Sequence, residues 1–259
     1  MRIKSRAHAA FDLPDKSCGV DAGVRYKSGV SLDTCEIWHM RIFLVRHGES
    51  ISNVDASIYA SMSDHVIPLS DEGQAQAVKA GEFLRGYLDG LPRDDSYSEV
   101  RMWTSPYRRT RETADGIEAA IGDSVALDRR EHINLCEQQF GLFDGVSDED
   151  LPIRFPNEYA HYKKCIDHEG KFWARVPLGE SRFDVAVRVR ETFGTFLRDA
   201  ERYQYKNIIV ICHGVTLRAF VMQWLHLTPE WFEAEPSPGN CWIRLIDDEG
   251  DQGYIYTND

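Results

Sequence analysis

Ile208-Ile209-Val210-Ile211-Cys212-His213-Gly214 is the stretch that decides the fold. Its unbroken apolar run is the signature of a central strand buried on both faces, not of a strand with one wet face, which alternates. Upstream, Ser181 to about Arg202 carries Phe183, Val187, Val189, Phe193 and Phe196 among charged residues. That spacing predicts a long amphipathic helix with Ser181 as its N-cap. Downstream, a helix is expected from Val215 to Leu227 and a terminal strand from Trp242 to Ile246.

The same alternation recurs earlier in the chain. Met40 to Val45 reads as a strand and runs straight into Arg46-His47-Gly48. A loop through Asp64 and Pro68 leads to Ser70, a candidate N-cap for a helix over Asp71 to Asp89 whose apolar positions are Ala75, Val78, Ala80, Phe83 and Leu84. A short strand at Val100 to Trp103 precedes Ser105-Pro106, where a helix to about Ile121 begins. Strands alternating with helices predict an α/β fold, with a largely parallel sheet covered on both faces. From about Ile133 to Gly179 the chain mixes aromatics, prolines and charges and reads as a lid insertion. Residues 1–39 are polar and patternless, an N-terminal extension before the domain from 40 to 259, and Met40 is an alternative start.

Composition narrows the function less than the pattern does. At 259 residues, with 42% hydrophobic and 28% charged, the chain has ample material for one large core. A net charge of -12 disfavours nucleic acid and anionic membrane surfaces as partners, but a few converging arginines still suffice to hold a small phosphate ester. The six cysteines are scattered with no zinc or redox spacing, and no apolar run of about 18 residues appears, so reduced thiols and a cytoplasmic location are expected. Oligomeric state has no signature.

Two predicted strands end in His-Gly, and ligands of open α/β sheets sit at the carboxyl ends of strands. His47 and His213 are therefore candidates for one crevice, with Gly48 and Gly214 letting the backbone approach a ligand. Arg46 and Arg109 add positive charge. A phosphoryl group in transfer spreads negative charge over its equatorial oxygens and needs such donors around it. A neutral imidazole, favoured by flanking arginines, is a competent nucleophile toward phosphorus. Glu137 is the candidate acid for the leaving alcohol, provided that burial and phosphate charge let it hold a proton. Taken singly, each residue equally suits a structural role: Arg109 paired on the surface with Glu112 or Glu72, Glu137 an exposed loop carboxylate, either histidine a hydrogen-bonded core residue. A metal site from His47, His213, His161 and His168 lacks the paired local spacing of ligands.

Order and spacing resolve the choice. Leu44-Val45-Arg46-His47-Gly48-Glu49-Ser50 with Asn53, Pro68-Leu69-Ser70 with Gly73, Ser105-Pro106 with Arg109 and Glu112, Glu137 with Gly141, Gly179-Glu180-Ser181 with Arg188, and His213-Gly214 together resemble the histidine phosphatase superfamily. Within it, Asp64-His65-Val66-Ile67-Pro68-Leu69-Ser70 and Glu137-Gln138-Gln139-Phe140-Gly141 resemble broad acid phosphatases and phosphoglycerate-mutase-like proteins. The resemblance implies a three-layer α/β/α sandwich with a helical subdomain over the site. It also implies His47 as the phosphorylated nucleophile, Arg46, Arg109 and His213 as phosphate ligands, Asn53 as a further donor, Glu137 as proton donor, and no metal or cofactor. The expected activity is hydrolysis of small phosphate monoesters, such as a phosphorylated metabolite. A mutase-type transferase and a noncatalytic phosphate binder are the alternatives. The Thr-Gly-Trp usual after the nucleophile motif of glycolytic mutases is missing and Phe140 replaces a tyrosine, which favours the phosphatase. In the lid, Arg154, Lys163, Lys164 and Arg175 are cationic, and Arg175, beside Gly179, is the candidate substrate contact.

Overall fold

A computed structural model of the protein describes residues 40–92 and 100–258. The expected extension over 1–39 lies outside the described residues. Six strands, β1 (Arg41–Arg46), β2 (Val100–Thr104), β3 (Leu127–Glu131), β4 (Asn207–Cys212), β5 (Ile243–Asp247) and β6 (Gly250–Tyr256), form one sheet in the order β3-β2-β4-β1-β5-β6. The first four are mutually parallel, while β5 runs antiparallel to both β1 and β6. The sheet is thus largely parallel, as its alternating sequence predicts, with an antiparallel edge. No helix among the described residues is long and apolar enough to cross a membrane.

Every residue of β4 is buried, which is why its sequence reads as a continuous apolar run. Alternate side chains serve opposite layers. Ile208, Val210 and Cys212 join Ile42 and Leu44 under the helices Arg182–Tyr203 and Gly214–Trp224. Ile209 and Ile211 join Phe43 and Val45 under the helices Asp71–Asp89 and Arg108–Ile121. This is the three-layer sandwich. Numbered in chain order, the helices are α1 (Ile51–Val54), α2 (Asp71–Asp89), α3 (Arg108–Ile121), α4 (Leu151–Arg154), α5 (Pro156–Glu169), α6 (Arg182–Tyr203), α7 (Gly214–Trp224) and α8 (Pro229–Ala234).

Ser70 and Ser181 do cap α2 and α6, accepting hydrogen bonds from the N–H groups of Gly73 and Asp184. The buried stripes match the expected ones in part. On α2 the core face is Gly73, Ala77, Ala80, Gly81, Leu84 and Leu88, so Ala80 and Leu84 are buried as expected, whereas Ala75 and Val78 are exposed. On α6, Val189 and Phe196 are buried as expected, Phe183 and Val187 are exposed, and Val185 and Ala186 are buried in addition. Glycine and alanine, which carry little hydrophobic signal, supply much of the α2 stripe. The edge strands β3 and β6 carry no apolar run because an edge strand is only partly covered. The lid region holds a 14-residue helix, α5, where only short helical patterns were legible. None of its residues is fully buried, so no strong stripe marks it.

The loop after β1 is pinned by contact with the start of α2. A Cβ at Gly73 would lie 1.9 Å from the Glu49 carbonyl oxygen, and one at Gly48 would lie 2.5 Å from the Gly73 oxygen. Ser70 completes the junction, its N–H donating to the Glu49 carbonyl and its hydroxyl to the Glu49 carboxylate. Gly73→Ala is expected to cost about 1–3 kcal/mol in denaturant unfolding, the usual range for overpacking, and to lower activity by displacing the loop that carries His47. Gly86→Ala, on the same helix with nothing within 4 Å of the added atom, is expected to stabilise by about 1 kcal/mol.

Candidate active site

Register places the two histidines together. In the parallel β1–β4 pair Arg46 stands opposite Cys212, so the residues that follow, His47 and His213, leave the sheet side by side. The ladder continues one step further, with His47 N–H donating to the Cys212 carbonyl at 3.0 Å. Their ring centroids are 5.2 Å apart, and both side chains are almost wholly buried. Across the β2–β4 pair, Ser105 follows Thr104 to the same level, its Oγ 2.9 Å from His213 Nε2.

The His47 tautomer follows from its partner. His47 Nδ1 lies 2.7 Å from the Gly48 carbonyl oxygen, which can only accept, so Nδ1 carries the proton and Nε2 keeps its lone pair. His213 Nε2 is hydrogen-bonded to the Ser105 hydroxyl, which can donate or accept, and the opposite ring atom, Nδ1, is buried with no partner among the described residues. Burial, followed by the charges of Arg109 and Arg46, holds the His47 imidazole well below its ordinary value of 6.5. Burial and then Arg109 do the same for His213. Both rings are neutral at pH 7.

Three charged or polar groups converge on Gly214, where α7 begins. A Cβ there would lie 3.1 Å from Ser237 Oγ, 3.8 Å from Arg46 Nε and 4.0 Å from Glu137 Oε2. Arg46 is held at one end, its Nη1 donating to the Pro238 carbonyl at 2.6 Å, while its buried Nε has no partner among the described residues. A buried donor left unpaired costs about 1–3 kcal/mol, so the unpaired Arg46 Nε is a site an anion would satisfy, as is His213 Nδ1 in the tautomer that carries its proton there. Arg109 is buried too, but its guanidinium grips the Asp64 carboxylate at 2.8 and 3.2 Å and the Asp64 carbonyl at 2.7 Å. Asp64 is thus the partner of Arg109, whereas Glu112 is shared by Arg108 and the Leu69 N–H.

Glu137 enters from the lid side. Its Oε1 accepts from Gln138 N–H at 2.9 Å and lies 3.4 Å from the Thr216 hydroxyl, and Val215 N–H at the head of α7 points to Oε2 at 3.4 Å. What holds its backbone is Arg188. The Arg188 guanidinium donates to the carbonyls of Asn134, Cys136 and Glu137 at 2.8–3.0 Å and is itself clamped by both oxygens of Glu180. Arg188 and Glu180 were legible as motif residues, yet their role as a latch on the acid segment shows only in three dimensions. Asn240, in a loop with no readable signal, is a further addition, its side-chain amide donating to the His47 carbonyl at 3.0 Å.

The remaining candidates divide. Asn53 is near the site, its Oδ1 accepting from Ser50 N–H at 3.0 Å and from Asn240 at 3.4 Å. Arg175 is held elsewhere: its side chain is 65% exposed and its Nη2 donates to Asp184 at 2.5 Å, in the capping box of α6. His161 contacts Cys165 on α5, and among the described residues no group of three or more His, Cys, Asp or Glu is arranged to hold a metal.

A buried neutral imidazole poised beside two arginines at the mouth of a parallel sheet defines a phosphate-handling histidine enzyme. The sequence profile of the histidine phosphatase superfamily (branch 1) matches residues 42–258, and the chain belongs to that superfamily. It is 33% identical over 217 residues to the phosphoglycerate mutase-like protein AT74H of Arabidopsis thaliana, across 80% of this chain and 73% of that protein. To the broad-range acid phosphatase DET1 of Saccharomyces cerevisiae it is 26% identical, across 83% and 87% of the two chains. Among solved structures, a mycobacterial glucosyl-3-phosphoglycerate phosphatase in complex with VO3 shares the fold with a TM-score of 0.62 at 23% identity, covering 85% of this chain and 99% of that one.

Below about pH 6.5 the unfolded chain protonates its histidines while the folded one keeps His47 and His213 neutral, so stability falls as pH falls through that value. In kinetics, the acid limb of kcat/KM belonging to His47 should lie below pH 6.5, and Arg109→Met should move it upward. A limb at the ordinary histidine value in the parent protein contradicts neutral burial. Arg188→Met should lower kcat about 10- to 100-fold with little change in KM, because it loosens Glu137 without touching the phosphate groups.

Proposed function

We propose that the protein is a phosphatase that hydrolyses small phosphate monoesters through a phosphohistidine at His47. The observation that carries this reading is the His47 ring itself: neutral, with Nδ1 anchored to the Gly48 carbonyl and Nε2 left as a nucleophile beside Arg46 and Arg109. In the first step Nε2 attacks phosphorus as the bond to the alcohol oxygen breaks, and Glu137 gives that oxygen a proton. Arg46 Nε, the Arg109 guanidinium and His213 Nδ1–H receive the charge on the equatorial oxygens. In the second step water attacks the phosphohistidine, Glu137 takes its proton, and phosphate leaves with the imidazole restored. Every group used belongs to this chain, so the mechanism as written calls for no added metal or cofactor.

The acid phosphatase among the relatives supports water as the acceptor, as does the missing Thr-Gly-Trp of glycolytic mutases. The mutase alternative would return the phosphoryl group to a second phosphoglycerate. A cytoplasmic setting suits the free thiols of Cys136, Cys165, Cys212 and Cys241, and the partner we assign is a small phosphorylated metabolite rather than nucleic acid or membrane.

Incubation with a labelled substrate and rapid quenching should trap an acid-labile, base-stable phosphoenzyme that is absent in His47→Ala, which should also lose turnover by at least 1000-fold. Turnover surviving that substitution would sink the mechanism. Glu137→Gln should slow alkyl phosphates far more than p-nitrophenyl phosphate, whose leaving group needs little protonation. Equal losses on the two would remove Glu137 from the acid role.

A further inference from the structure

Next to the phosphate-holding residues lies a cavity of about 630 Å³ between α5 and the segment Phe140–Asp148. Tyr59 and Gln138 are among the residues that line it. Tyr59 accepts a hydrogen bond from Ser52 Oγ and interacts electrostatically with both Arg46 and Arg109, and Gln138 is the residue after the candidate acid. These two residues put one side of the cavity beside the arginines and the candidate acid.

Its walls are aromatic. Phe143 is buried at the floor, in ring contact with Tyr162 at 5.6 Å and Tyr159 at 6.3 Å. Tyr159, Tyr162, Lys163 and Ile166 lie three, four and seven residues apart on one face of α5, and all four line the cavity. The apolar face of this helix, in which no residue is fully buried, is thus turned toward open space beside the site as well as toward the small Phe143 cluster. Polar groups are interspersed: Asp144, Ser147 and Asp148 on one wall, and Lys163 and Lys171, for which no carboxylate partner is found among the described residues. A volume in the range of drug-sized ligand sites would be left largely empty by a three-carbon acid.

We propose that this cavity receives the leaving group, and that the substrates are phosphate monoesters whose alcohol carries an aromatic ring system with hydrogen-bonding groups, about the size of a nucleoside. The inference rests on the phosphatase reading above. Stacking of the ring against Tyr159 or Tyr162 supplies the preference, and the lysines and aspartates answer its polar edge.

The test compares AMP with ribose 5-phosphate, whose leaving groups are both primary alcohols, so that protonation demand is matched. In the parent protein kcat/KM for AMP should exceed that for ribose 5-phosphate at least tenfold. Tyr162→Leu, which keeps bulk and removes the ring, should cut this ratio at least threefold while ribose 5-phosphate turnover and phosphoenzyme formation stay unchanged, and Tyr159→Leu provides the second reading. Equal kcat/KM for the two substrates overturns the inference and leaves the phosphatase mechanism standing. Equilibrium binding to His47→Ala separates the claims in the other direction: AMP bound at least tenfold tighter than ribose 5-phosphate upholds the cavity assignment even if the parent protein proves inert, and equal binding overturns it.

Discussion

The parallel pairing of β1 with β4 is the constraint on which the site depends. Because Arg46 and Cys212 are in register, the two chains leave the sheet at the same height, and each delivers a histidine into the same dry space. Burial then does the chemical work. It keeps both imidazoles neutral, and the arginines act in the same direction, so neither ring needs a base to be deprotonated at pH 7. The two rings lie 5.2 Å apart, His47 Nδ1 anchored on the Gly48 carbonyl and His213 Nε2 on the Ser105 hydroxyl.

Around this pair the remaining groups are set by cross-chain fasteners rather than by their own elements. Arg109 stands on α3 but is aimed by Asp64, a residue of the loop before α2. Glu137 belongs to an irregular segment whose carbonyls are gathered by Arg188 of α6, and its carboxylate meets the head of α7. Arg46 is braced by the Pro238 carbonyl, and the His47 carbonyl by Asn240 of the same loop. Charged side chains thus do two jobs here. Some face the site with buried donors unpaired, and others, fully paired, hold the loops that a parallel sheet leaves at the carboxyl ends of its strands.

Much of this is legible in the sequence. Continuous apolar runs marked β1 and β4, serine caps marked α2 and α6, and the ordered motifs identified His47, Arg46, Arg109, Glu137 and His213 as one group. The helix faces were legible only in part, because Ala77, Gly81 and Ala186 carry core positions with almost no hydrophobic signal. β3 and α5 escaped notice because their side chains are mostly unburied, and burial is what writes periodicity into a sequence. Ser237 and Asn240 had no local pattern that separates them from ordinary loop residues, and Asp64, though part of a motif, carried no sign that it pairs with Arg109.

The sequence by itself therefore determined the layered α/β architecture, the two strand ends that carry histidine, and the chemical kinds of group assembled there. It could do so because core strands and motif residues are local: their identity is written in consecutive positions. Which acid holds Arg109, what latches Glu137 in place and which side chain braces the His47 carbonyl were decided only by tertiary structure. Those are contacts between residues 8 to 193 positions apart, and no local preference encodes a hydrogen bond whose two ends meet only when the chain has folded.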